Sequence, residues 1–183
     1  MLQITIPETK ELWDEKRQEF VSEPAITLQL EHSLISLSKW ESKWHKSFFT
    51  KEDMTNEQTL DYIRCMTLSP KNLPIDVYYR LSQKNVDAIL AYINDPMTAT
   101  TFNEKDDRKG FGKERITSEL IYYWMITLQI PVEFEKWHLN RLITLIRVCE
   151  IKNTPPKKMS KRDIMSRNAA LNAARRKQLG SKG

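Results

Sequence analysis

A chain of 183 residues, 40% of them hydrophobic, has room for one ordinary domain and a tail. Its four glycines form no phosphate-loop pattern, which excludes the P-loop and dinucleotide-fold enzymes, and no stretch approaches about 18 consecutive apolar residues, so no membrane span is expected. The net charge of +5 is unevenly spread: from Pro155 to Gly183 nine Lys or Arg face one acid, Asp163, a net +8 that leaves −3 on residues 1–154.

The opening run MLQITIPETKELWDEK carries acids too early for a secretory signal, so none is expected. Leu2, Ile4 and Ile6 alternate with polar neighbours and predict a short strand over Leu2–Pro7. A hairpin is predicted over Glu11–Val21, turning about Asp14–Gln18 with Trp13 and Phe20 beside the turn. A lone hairpin is marginal in water, so it needs the helices or a partner's sheet to pack on. From Ile26 to Trp44 the residues Leu30, Leu34, Leu37, Trp40 (or Glu41) and Trp44 recur at three- and four-residue steps and predict a helix.

Thr55 or Asn56 caps a helix over Glu57–Leu68, which Pro70 and Pro74 stop. A short helix follows over Ile75–Leu81. Ser82 caps another over Gln83–Ile93, with Val86, Ile89, Leu90 and Ile93 turned inward. Asn94–Lys113 is rich in turn and charge signals and reads as a loop or a flat hairpin anchored by Met97 and Phe102. Thr117–Ile130 is apolar nearly all round and reads as the central helix of the fold. After a tight corner at Gln129–Pro131, a long antiparallel helix over Val132–Glu150 buries Phe134, Trp137, Leu139 or His138, Leu142, Leu145 or Ile146, and Cys149. Ser160 and Asp163 fit a cap for a last helix over Lys161–Leu179, whose apolar stripe is thin. The expected fold is mainly α: a helical domain over 1–154 with a small N-terminal β-hairpin over 1–24, and a basic C-terminal helical arm over 155–183.

No constellation for catalysis emerges. His32, His45 and His138 match no zinc spacing with Cys65 or Cys149, and Glu135 with His138 would supply two ligands only. The histidines read as surface or boundary residues, and the cysteines as reduced, half-buried thiols in a cytosolic setting. Carboxylate pairs such as Asp106–Asp107 lie in polar segments with no cleft to shift their pKa, and no nucleophile elbow surrounds any serine. The expectation is a protein that is no enzyme, holds no metal or cofactor, and works by binding.

Two elements are candidates for that binding. In SLSKWESKWHKSFF, Trp40 and Trp44 share a helical face with Lys39, Lys43 and Lys46 around them; either both rings cover the hairpin or the neighbouring helix, or they form an aromatic and basic strip of a kind common in interfaces. The arm presents Arg162, Arg167, Arg175, Arg176 and Lys177. These fit nucleic-acid phosphates or an acidic protein surface, and the acidic body and Ala-containing stripe favour protein. The stripe has no aromatic residue, which disfavours a lipid surface.

The runs LEHSLISLSKWESKWHKSFF, YIRCMTL, DPMTATTF, ITSELIYYWMITLQIPVEFEKWHLNRLITLIRVC and PPKKMSKRDIMSRNAALNAARRKQLGSKG together resemble tail assembly chaperones of long-tailed, siphovirus-type bacteriophages of Gram-positive hosts. The resemblance extends over nearly the whole chain. It implies a protein of the host cell cytoplasm, absent from the mature virion, that keeps the tape measure protein soluble and helps tail tube protein polymerise around it. Self-association on that long substrate is expected, and the chain would match the short form of a family often made in short and frameshifted lengths. Other readings are a structural virion component, such as a head-tail or tail completion protein, and a nucleic-acid-binding regulator.

Overall fold

In the computed structural model the described residues are 1–9, 12–14, 18–50, 54–102, 115–154 and 160–180. The chain is mainly helical and divides into two compact units, Met1–Glu150 and Ile151–Gly183.

In the first unit, strand β1 (Leu2–Ile6) pairs antiparallel with β4 (Ile26–Leu30), with Ile4 opposite Leu28 and Leu2 opposite Leu30. This corrects the helix expected from Ile26. Residues 26–30 alternate, and their period of two puts Leu28 and Leu30 on the face that buries Ile4 and Ile6. The helix begins at Leu34 instead. Ser33 caps it, its hydroxyl accepting from the Ser36 amide. A third strand, β5 (Thr67–Ser69), replaces the expected end of the second helix and pairs with β4 to give the order β1-β4-β5. The hairpin forms separately from β2 (Leu12–Asp14) and β3 (Glu19–Val21), with Trp13 opposite Phe20. The residues expected at its tip, 15–17, lie outside the described residues, as do 103–114 of the expected loop.

The same unit contains helices α1 (Leu34–Trp44), α2 (Asn56–Met66), α3 (Ile75–Tyr79), α4 (Gln83–Asn94) and α5 (Ser118–Thr127). A reciprocal box caps α2: Thr55 accepts from the Gln58 amide, and the Gln58 side chain accepts from the Thr55 amide. On α4 the buried residues are Ile89 and Tyr92, whereas Leu90, expected inside, is exposed. Arg80, just past α3, donates to the carbonyls of Pro7 and Pro24 and to Glu23, tying the ends of β1 and β4 together.

The expected long helix over 132–150 is broken. A 3₁₀ turn occupies Val132–Lys136, and α6 starts at Leu139 and runs to Asn153. Between them His138 bridges to Ser33, and the Leu139 amide donates to the His32 carbonyl at 2.7 Å. The backbone there is spent on a distant partner, which local periodicity cannot register.

Two apolar clusters meet at α1. The sheet, α2, α3 and α4 pack around Trp40, while Leu34 and Leu37 pack with Ile121, Met125, Leu139, Leu142 and Ile146. Thus α1, and not the apolar segment at 117–130, is the hub. α5 buries Ile121 and Met125 but leaves Tyr123 and Ile126 exposed. Cys65 and Cys149 are half-buried and free. In the second unit α7 (Lys161–Leu179) is exposed over its whole length, capped by Ser160 at one end and by left-handed Gly180 (φ 63°) at the other. No described helix is long and apolar enough to cross a membrane.

Candidate functional site

Helix α1 has one face in the core and one in water, and Lys39 and Lys43 stand a turn apart on the wet face. α2 contributes Arg64, the chain after β5 contributes Lys71, and the 3₁₀ turn contributes Lys136. These five exposed cations line one groove of about 660 Å³, within the range of ~300–1,000 Å³ usual for ligand clefts. Ile35, Leu73 and Tyr78 add apolar lining, and the Tyr78 hydroxyl donates to Thr67 Oγ1 at 3.0 Å.

One carboxylate organises part of this wall. Asp61 is buried on α2, and its Oδ1 accepts from Lys43 Nζ at 2.7 Å and pairs with Arg64 at 2.8 Å. Its Oδ2 accepts from Trp44 Nε1 at 2.9 Å. Burial pushes the Asp61 carboxyl up, but the hydrogen bonds from Lys43 and Trp44 and the charges of Arg64 and Lys43 outweigh it and hold the pKa below the ordinary 3.8. Lys39, Lys71 and Lys136 have no ion pair among the described residues. The groove therefore carries uncompensated positive charge beside apolar surface. Cys65, also in the lining, has its thiol pKa raised by burial and by Asp61.

The expected strip of Trp40, Lys43 and Trp44 must be redrawn. Trp40 is 2% exposed, donates from Nε1 to the Gln58 carbonyl at 2.9 Å, and stands edge-on to Phe48 and Tyr62. It is a core residue and unavailable to a partner. Trp44 is half-buried, 6.5 Å from the Trp40 ring, and spends its N–H on Asp61. Lys43 is exposed on the groove. In the second unit Arg162, Arg167, Arg175, Arg176 and Lys177 all lie exposed on α7, with Arg176 and Lys177 in the last turn, where cations complement the helix dipole.

The histidines require a second correction. His32 and His138 are buried, with ring centroids 5.1 Å apart. His32 Nδ1 lies 2.5 Å from the Tyr62 hydroxyl, and His138 Nε2 donates to the Tyr92 carbonyl at 3.0 Å, leaving His138 Nδ1 without a hydrogen-bond partner among the described residues. Burial, with the neighbouring His138, drives the His32 pKa down to about 3; burial also lowers that of His138. Both rings are neutral at pH 7. Among the described residues no three His, Cys, Asp or Glu side chains gather as metal ligands would.

Of the groove's cations only Lys39 and Lys43 stand out in the sequence, beside the tryptophans. Its cations are spread from Lys39 to Lys136 and converge only through the contacts of α1, α2 and the 3₁₀ turn. No protein-family model matches the chain, and searches of curated proteins and of solved structures return no match.

Proposed function

We propose that this protein is a phage tail assembly chaperone that binds the tape measure protein in the host cell cytoplasm and assists tail tube polymerisation. It acts by binding and not by catalysis. The phage assignment comes from the sequence resemblance. The observation that carries the binding mode is α7: a capped helix of 19 residues, exposed throughout, bearing Ile164, Met165, Leu171 and Leu179 among its bases. A helix so poor in burial gains order and stability by laying its stripe and charges on another chain. A tape measure protein, which exposes long amphipathic stripes before the tube encloses it, suits repeated modest contacts of that kind.

Co-expression with the tape measure protein is the test. A soluble complex is expected, weakened by charge reversal at Arg175, Arg176 and Lys177. The proposal falls if the partner is neither bound nor made more soluble. Abundant peptides of this chain in purified particles would favour a structural virion component. The consecutive bases 175–177 also keep a nucleic-acid reading in view, which predicts oligonucleotide binding that weakens steeply with salt.

A further inference from the structure

The groove on the body has the makings of a second recognition site, built from residues other than those of the arm. Three of its five cations lack an acidic partner among the described residues, and Lys43 and Arg64 share a single buried carboxylate, Asp61. That charge excess calls for an anionic ligand.

The chemistry of the wall selects among anions. Lysine and arginine side chains hold phosphate as well as carboxylate, but a phosphate makes no use of the aliphatic lining, and no glycine is there to bring backbone amides onto it. A single-stranded nucleic acid needs exposed aromatic faces for its bases, whereas the one aromatic ring in the lining, Tyr78, is 2% exposed. What the groove does offer is Ile35, Leu68 and Leu73 beside lysines on flexible stems. This mixture fits a polypeptide segment that presents carboxylates together with an aliphatic side chain.

We propose that the groove formed by Lys39, Lys43, Arg64, Lys71 and Lys136 binds an acidic segment of a protein partner, with an aliphatic residue of that segment against Ile35, Leu68 and Leu73. This deepens the reading of the protein as one that acts by binding other proteins. It places one contact on the body, independent of the arm. Asp61 is the positioning residue: it holds Lys43 and Arg64 at the groove edge while leaving Lys39, Lys71 and Lys136 to meet the incoming carboxylates.

The test uses the full chain and a fluorescent peptide, acetylated Leu-Glu-Glu-Leu-Asp-Glu-Leu-Glu, so its outcome does not depend on the tape measure protein. Binding measured by anisotropy is expected to be salt-sensitive. It should weaken about tenfold or more in Lys39→Glu/Lys71→Glu, and be lost when Gln and Asn replace the peptide's acids. Both lysines are exposed, so the variant should keep the wild-type circular dichroism and Tm, and Lys39→Gln/Lys71→Gln offers a milder check. In a Cys149→Ser background the peptide should slow alkylation of Cys65, which reports that the groove itself is covered. Binding unchanged in Lys39→Glu/Lys71→Glu but lost in Arg175→Glu/Arg176→Glu would assign the peptide to the arm and overturn the proposal. So would tighter binding of inorganic phosphate or an oligothymidine than of the peptide, with the same protection of Cys65. Failure here leaves the co-expression result free to stand, and failure of co-expression leaves this site intact.

Discussion

Trp40 and Trp44 illustrate how one helical spacing serves two ends. The four-residue step puts both rings on one side of α1, but Trp40 is sealed beneath Phe48 and Tyr62 while Trp44 meets Asp61 near the surface. Trp40→Ala should cost about 3–5 kcal/mol, and Trp44→Phe, which removes one hydrogen bond to a buried carboxylate, about 1–3 kcal/mol, both read from urea denaturation. The histidines set a pH dependence. The unfolded chain takes up a proton on His32 near the ordinary value of 6.5, the folded chain only near 3, so the unfolded state binds more protons between these values. Stability is then full above about pH 6.5 and falls as the pH drops through the window toward 3. Asp61, with its pKa held below 3.8, adds a loss of the same sign at the acid end. His32→Gln should flatten the decline of the urea midpoint between pH 7 and pH 4; a slope equal to wild type would refute the assignment. The burial of His32 was not legible from residue type, because it depends on what lies across the fold; helical spacing did offer that of Trp40, as one of two readings.

At the scale of elements, Glu41 shows how a residue placed by helical periodicity takes its role from another segment. Periodicity alone makes it an alternative to Trp40 on the inward face of α1, between two tryptophans. In the fold it is buried, with Oε1 accepting from the Phe48 amide at 2.9 Å and Oε2 from the Ser118 amide at 2.7 Å, the first turn of α5. An anion there meets both an unsatisfied amide and the positive end of a helix. Glu41→Gln should destabilise by about 1–3 kcal/mol and raise amide exchange at Ser118–Ile121 before the rest of the body. Helix caps at Ser82 and at Ser160 with Asp163 were legible because they are local, and Thr55 was one of two candidates; the Gln58 half of its box emerged only in the fold. Strands β4 and β5 and the break at Trp137–His138 were not, since each depends on a partner distant in sequence.

Over the whole molecule the charge division coincides with an architectural one. The net +8 segment contains a helix exposed along its length, while the body encloses two apolar clusters joined at α1. Reversing Arg175, Arg176 and Lys177 should therefore leave body stability within about 0.5 kcal/mol, measured by the urea transition, while weakening partner binding. A large fall in body stability would show that the arm is structural. By itself the sequence determined the mainly helical class, most helix starts and the basic arm, because composition, 3.6-residue periodicity and caps are written in neighbouring residues. Only the tertiary structure decided that α1 is the hub, that His32 lies inside, that Trp40, Glu41 and His138 take the buried one of their open alternatives, and that five cations scattered from Lys39 to Lys136 line one groove. Those outcomes belong to contacts between segments far apart in the chain, where burial and charge are set by whichever surface the fold brings opposite. For the two candidate binding elements the consequence is direct: the arm was readable from a run of residues, and the groove existed only once the chain had folded.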